Sequence, residues 1–183
     1  MKNLIIKSTI ITLSLILIVG TLFILVLSFV KPSIIANTAF NLNNKEVCVK
    51  YSEKQFLKSG SVSDLKILTE RSIWASDDNK VVQYASKLLS HNEFINSSNN
   101  HEYENYIASS YAQSLYKIGN KQKSVEVAFS YYDGITTPNT IRVLVYNAKT
   151  DKETLNLILQ KLNGLTTETN ETSYLITEIN KLL

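Results

Sequence analysis

Two patterns of apolar residues divide the chain. From Ser8 to Val30, sixteen of 23 positions are Ile, Leu, Val or Phe and none is charged. Beyond Lys31 the apolar positions thin out and recur every third or fourth residue, the period of a helix with one buried stripe. At about 1.5 Å per residue the first stretch reaches roughly 34 Å as a helix, slightly more than a bilayer's hydrocarbon core, so it spans with modest tilt. Its sixteen large apolar residues favour insertion by very roughly 5 to 10 kcal/mol. A cleaved signal peptide has a shorter apolar core and a small-x-small site; here the run is longer, and Ala36 and Ala39 are wrongly spaced for A-x-A. Cys48 lies too far past the apolar run, among Lys45, Glu46 and Lys50, to serve as a lipid-attachment site.

The periodic remainder reads as about eight short antiparallel helices. Three carry a capping side chain three residues before an acidic one, at Asn43 to Glu46, Ser61 to Asp64 and Thr150 to Glu153. A fourth start is marked by Thr137-Pro138, with proline at the first helical position. Gly60, Gly119, Gly134 and Gly164 each follow an apolar-periodic run, where a left-handed residue closes a helix. These marks predict helices over 44–58, 62–76, 78–92, 102–118, 121–133, 138–148, 151–163 and 171–182. The expected buried positions include Val47, Tyr51 and Phe56 in the first, Tyr84 and Leu88 in the third, and Leu144, Ile158 and Leu175 in the last three. The polar run from His91 to His101 reads as a loop. The fold class is all-α, with the division 1–7 basic leader, 8–30 transmembrane helix, 31–43 tether and 44–183 helical domain. An α-solenoid and a helical bundle both fit these elements.

Charge adds an orientation. Lys2 and Lys7 precede the apolar stretch and Lys31 follows it, so the positive-inside rule places the N-terminus in the cytoplasm and residues 44–183 outside it. Of the 19 basic residues, three lie at or before Lys31, so the remaining 16 meet all 16 acidic ones and the domain is neutral. With only Arg71 and Arg142 among the arginines and no clustered basic face, nucleic acid is not an expected partner. The preference for Lys over Arg and the abundance of Asn fit an AT-rich bacterial genome, in which the sequons at Asn96 and Asn170 are idle.

Candidate chemistry is sparse. His91 and His101 flank a polar loop at a spacing that suits neither a shared helical face nor a zinc motif. Cys48 stands between two valines and reads as a small buried hydrophobe. Asp77-Asp78 and the pair Glu102 and Glu104 sit at helix starts, where carboxylates suit the helix dipole without any further role. No phosphate-cradling loop, nucleophile elbow or metalloprotease motif occurs, so the expected state is non-enzymatic, with no cofactor and no metal.

Two stretches carry a resemblance. Phe56-Leu57-Lys58-Ser59-Gly60 and Leu115-Tyr116-Lys117-Ile118-Gly119 resemble the end of the first helix of a tetratricopeptide repeat. Tyr111-Ala112 matches that motif's large-small pair, Ser124 its small residue in the second helix, and Ser72 the later small position of the other copy. Tyr131 and Glu53 stand where the motif has small residues, Pro138 comes two residues late, and the two glycines are 59 residues apart, not a multiple of 34. The resemblance implies a degenerate repeat domain whose concave face takes a protein or peptide.

Arg71, Trp74, Tyr106 and Tyr116 are the candidate contact residues, since Trp, Tyr and Arg dominate binding hot spots. The reading is a single-pass membrane-anchored binding or assembly module. A cell-envelope enzyme accessory or hydrolase and a self-associating spacer are the alternatives.

Overall fold

The computed structural model describes residues 2–96, 101–131, 139–165 and 169–183. Those residues are all-α, with eleven helices and no strand among them. In chain order they are α1 (Lys2–Val30), α2 (Pro32–Asn41), α3 (Lys45–Ser59), α4 (Val62–Ala75), α5 (Asp78–Leu89), α6 (Asn92–Asn96), α7 (His101–Lys117), α8 (Lys121–Ser130), α9 (Asn139–Asn147), α10 (Lys152–Asn163) and α11 (Asn170–Leu182).

All eight helices expected from periodicity are present with ends displaced by no more than three residues. Two more accompany them. Within the stretch read as a tether, Pro32 opens α2 at its first position, where a missing amide costs nothing and φ is already helical. Within the polar run, α6 begins after His91, whose Nδ1 accepts the Glu93 amide at 3.3 Å. The Thr137-Pro138 start and Gly134 lie outside the described residues.

The helix ends refine the punctuation. Asn44 and Asp151, each one residue beyond the expected cap, accept the Val47 and Thr154 amides. Asn43 instead takes a left-handed φ of 55° to turn the chain. Ser61 caps α4 as expected, accepting the Asp64 amide at 3.2 Å. Gly60 and Gly119 are left-handed, with φ of 64° and 87°. Gly164 also closes its helix but remains right-handed at φ −87°, so its backbone does not require glycine.

The chain forms two compact units, residues 1–64 and 65–183. In the first, the apolar segment Thr9–Val30 of α1 is exposed along most of its length, with Ser28 near its end buried, and is long enough to cross a membrane. α2 packs along α3 through small residues, Ala36 and Ala39 on one side and Cys48 and Ser52 on the other, all buried. This corrects the stripe read for α3: Val47, Tyr51 and Phe56 are only half-buried, because the alanine face of α2 seats small partners. Cys48 is buried, as its neighbours suggested. At the far end of α3 the Lys58 ammonium donates to the Val30 carbonyl at 2.7 Å, supplying a donor to a helix end that lacks its own.

In the second unit the buried core is built from α7 to α11, with Ile141, Leu144, Leu155, Ile158 and Ile179 fully enclosed. α7 and α8 form a hairpin about Gly119. α9 lies against α7 and α8, α10 against α8, and α11 against α10. Side-chain bonds give the directions. Asn147, at the end of α9, donates to Gln113 near the end of α7, so those helices run the same way. Lys121, opening α8, pairs with Asp151 and Glu153 at the start of α10, and these two are parallel as well. Lys152 at the start of α10 donates to the terminal Leu183 carbonyl, which sets α11 antiparallel to α10. α5 crosses α7 in the opposite sense, its Asp78 accepting from Ser114 at 2.8 Å and pairing with Lys117.

Candidate binding surface

The α7–α8 hairpin closes on two small residues. Ala112 and Ser124 are both fully buried, and the Ser124 hydroxyl donates to the Ala112 carbonyl. That close approach presses the apolar stripe of α7 inward and leaves its other side outward. On that side stand Tyr106, Ser109, Gln113 and Tyr116, at offsets of three, seven and ten residues, which one face of a helix shares. The Gln113 amide also donates to Ser109 at 3.4 Å.

The same face continues onto the neighbouring helices through cross-links. Gln113 accepts from Asn147, and beside Asn147 on α9 stands Tyr146, 71% exposed. Arg142, one turn back on α9, pairs with Glu171 at 2.8 Å, and its guanidinium lies 5.6 Å from the centre of the Tyr174 ring on α11. Tyr174 is 51% exposed and Tyr106 49%. Three phenol rings, one from each of three helices, thus present apolar faces and polar tips to solvent. Large amphipathic rings of low side-chain entropy suit partner contact.

Each residue singled out from sequence has a definite place. Tyr106 lies beside Tyr103, ring centres 6.3 Å apart. The Tyr103 hydroxyl donates to Glu70 of α4 at 2.8 Å, with the Lys66 ammonium 4.1 Å from its ring centre. Burial, then the Glu70 carboxylate, raises the pKa of both phenols, so they stay neutral. Arg71 and Trp74, on the same helix as Glu70, are half-buried. Tyr116 is about 15 Å further along α7. It packs on the core, and burial followed by the Asp151 carboxylate raises its pKa. The Asp151 carboxylate at the start of α10 is thus close to its ring.

Sequence reasoning missed Tyr146, Tyr174 and Arg142. The signal was present: in α9 and α11 all three fall outside the apolar stripes set by Ile141, Leu144 and Ala148 and by Leu175 and Ile179. A second concavity of about 630 Å³ opens between α8 and α10, with Val125, Phe129 and Leu157 below and Glu126 and Lys161 on its walls.

Several other titratable groups are engaged in structure. Asp77 caps α5 by accepting the Lys80 amide, and Asp78 holds Ser114 and Lys117. Lys121 is held above its ordinary pKa by its bonds to Glu153 and Asp151. Burial alone would raise the Asp151 carboxyl, but the Lys121 ammonium and the amide and hydroxyl of Thr154 overrule it and hold it below the ordinary aspartate value. Among the described residues no three of His, Cys, Asp and Glu gather as a metal site; the His101 side chain lies outside them.

No protein-family model matches the chain. No curated protein sequence matches it either.

Proposed function

We propose that the chain is a single-pass membrane protein whose helical domain binds a protein or peptide and performs no catalysis. The tyrosine face running across α7, α9 and α11 carries this reading, because it exposes three aromatic rings on a cross-braced surface of parallel helices. The contacts of α7–α8 with α9–α10, followed by α11, support a degenerate tetratricopeptide-like reading, in which the first helices of successive hairpins form one layer. The buried Ala112–Ser124 approach and the left-handed Gly119 are where that motif places its small residues and its turn. Tyr106 and Tyr116 belong to the first helix of the hairpin about Gly119, and Arg71 and Trp74 to the second helix of the copy about Gly60, with Tyr106 the most exposed of the four.

The orientation is N-terminus cytoplasmic and domain extracytoplasmic, supported by Lys2 and Lys7 before the apolar helix and Lys31 after it. Retention of the anchor is supported by α2. Thr38 and Ala39 lie inside a helix, and Ala39 is packed against α3, a poor substrate for cleavage.

The test places a photoreactive residue at Tyr146 or Tyr174 of the full-length chain in its native membrane, with Gln122 on α8 as the control site. A distinct partner captured from positions 146 and 174 but not from 122 supports the reading. Capture of the chain by itself makes the protein a self-associating spacer, and equal capture from all three sites removes the tyrosine face from consideration.

A further inference from the structure

In the first unit, α1 and α2 diverge from the corner at Pro32 and leave a groove of about 400 Å³ between them. One wall is Phe23, Ile24 and Leu27 of α1, and the other is Ile35 of α2 with Leu42 just after it, closed at the end by Val47 of α3. The two polar side chains in its lining are engaged: the Thr38 hydroxyl donates to the Ile34 carbonyl at 2.9 Å, and the Asn44 carboxamide accepts the Val47 amide. Residues 32–44 contain no charge, and Ile34 and Phe40 of α2 and Leu42 at its C-cap are exposed, the last at 74%. The groove runs along α1 from Leu27 back to Phe23, which lies seven residues or about 10 Å from the end of the helix. That matches the depth of roughly 5 to 10 Å at which in-plane helices sit between headgroups and acyl chains. Lys31 follows α1 directly, Lys58 is bonded to its last carbonyl, and the Lys54 ammonium lies 5.8 Å from the centre of the Phe29 ring. Three ammonium groups therefore ring the top of the anchor at the level where lipid phosphates would lie.

We propose that the groove between α1 and α2 holds the acyl chain of a phospholipid, with α2 lying in the headgroup/acyl boundary as a second, in-plane membrane contact. The occupant follows from the walls. One is the uncovered surface of a helix that lipid surrounds on every other side, and the groove presents engaged polar groups and apolar surface, which suits a hydrocarbon chain. The inference rests on the reading of α1 as a membrane span.

The experiment uses the full-length chain in vesicles of phosphatidylcholine and phosphatidylglycerol whose acyl chains are brominated near the carbonyl in one set, read at positions 40 and 42, and near the methyl end in another, read at position 16. In a Trp74→Phe background, single reporters are introduced as Ile16→Trp, Phe40→Trp and Leu42→Trp. Quenching of roughly twofold or more at all three positions is expected, as α1 spans and α2 sits at the boundary. Quenching at position 16 without quenching at 40 and 42 overturns the proposal and leaves the anchor standing; no quenching at 16 removes the anchor and the proposal together. Native mass spectrometry of the detergent-released chain reads the groove itself. Bound phospholipid is expected, and Thr38→Phe, which fills the groove, is expected to lower the retained lipid at least about twofold while helix content is unchanged. Equal retention by that variant, or a dimer in place of lipid adducts, overturns the assignment of the groove.

Discussion

The Ser124 hydroxyl sits 2.7 Å from the Ala112 carbonyl across the α7–α8 hairpin, and neither residue is reached by solvent. At this crossing there is room for a hydroxyl and no more. Replacing Ser124 with Ala removes one buried hydrogen bond and is expected to cost about 1 kcal/mol. Ser124→Leu overpacks the crossing and is expected to cost about 1 to 3 kcal/mol or more. Denaturant unfolding of the full-length chain in detergent, followed by helical circular dichroism, measures both. Equal stability of the Leu variant and the parent would refute the close approach.

Asp151 sets an acid limit. Its carboxyl is held below the ordinary aspartate value of 3.8, so its contribution is complete above that pH and fades as the pH falls through the lowered folded value. Asp151→Asn keeps a side chain able to cap α10 but loses the charge that Lys121 meets. The variant is expected to lose at most about 1 kcal/mol at neutral pH and to show a shallower decline in stability below about pH 4. Unfolding midpoints measured from pH 2 to 7 for the two proteins, at a fixed ionic strength, check the slope.

Two glycines at helix ends are expected to respond oppositely to alanine. At Gly119, φ is 87° and an added Cβ meets nothing within 4 Å, so the cost is backbone strain alone, about 1 kcal/mol. At Gly164, φ is −87° and the Cβ finds only ordinary contacts with the Gln160 and Lys161 carbonyls, at 3.5 and 3.6 Å. Gly164→Ala is expected to be neutral or to stabilise by up to about 1 kcal/mol, through a less flexible unfolded chain. Thermal unfolding of the two variants side by side gives the sign of each.

Tyr146 and Tyr174 separate binding from stability. Both rings are more than half exposed, so Tyr146→Ala and Tyr174→Ser are expected to change stability by no more than about 0.5 kcal/mol. If the face binds a partner, each is expected to weaken capture about tenfold or more, in line with truncated aromatic hot spots. Retention of full capture by the double variant, at unchanged stability, would remove these rings from the binding surface.

The helices were legible because each buries a stripe that repeats at three and four residues. Ile141, Leu144, Val145 and Ala148 in α9 are all buried as their spacing requires. In α3 the same reasoning selected Val47 and Tyr51, whereas the buried positions are Cys48, Val49 and Ser52. There the partner is the alanine face of α2, and size matching between helices is not visible in one helix's own pattern. α2 was hidden because its ten residues carry no charge and no side chain caps its start. Of the candidate surface, Tyr106 was legible as an aromatic off its stripe. Arg142 and Tyr174 stood off their stripes in the same way, but their pairing needed the third dimension, since it joins residues 32 positions apart.

Lys58 closes a loop of chain that begins at Val30, fastening the end of α3 to the end of α1. With α2 packed along α3, that bond ties the helices on either side of Lys31 to one another. If α1 spans a bilayer as proposed, a membrane thickness that changes its lean is felt by α2 and α3 as well.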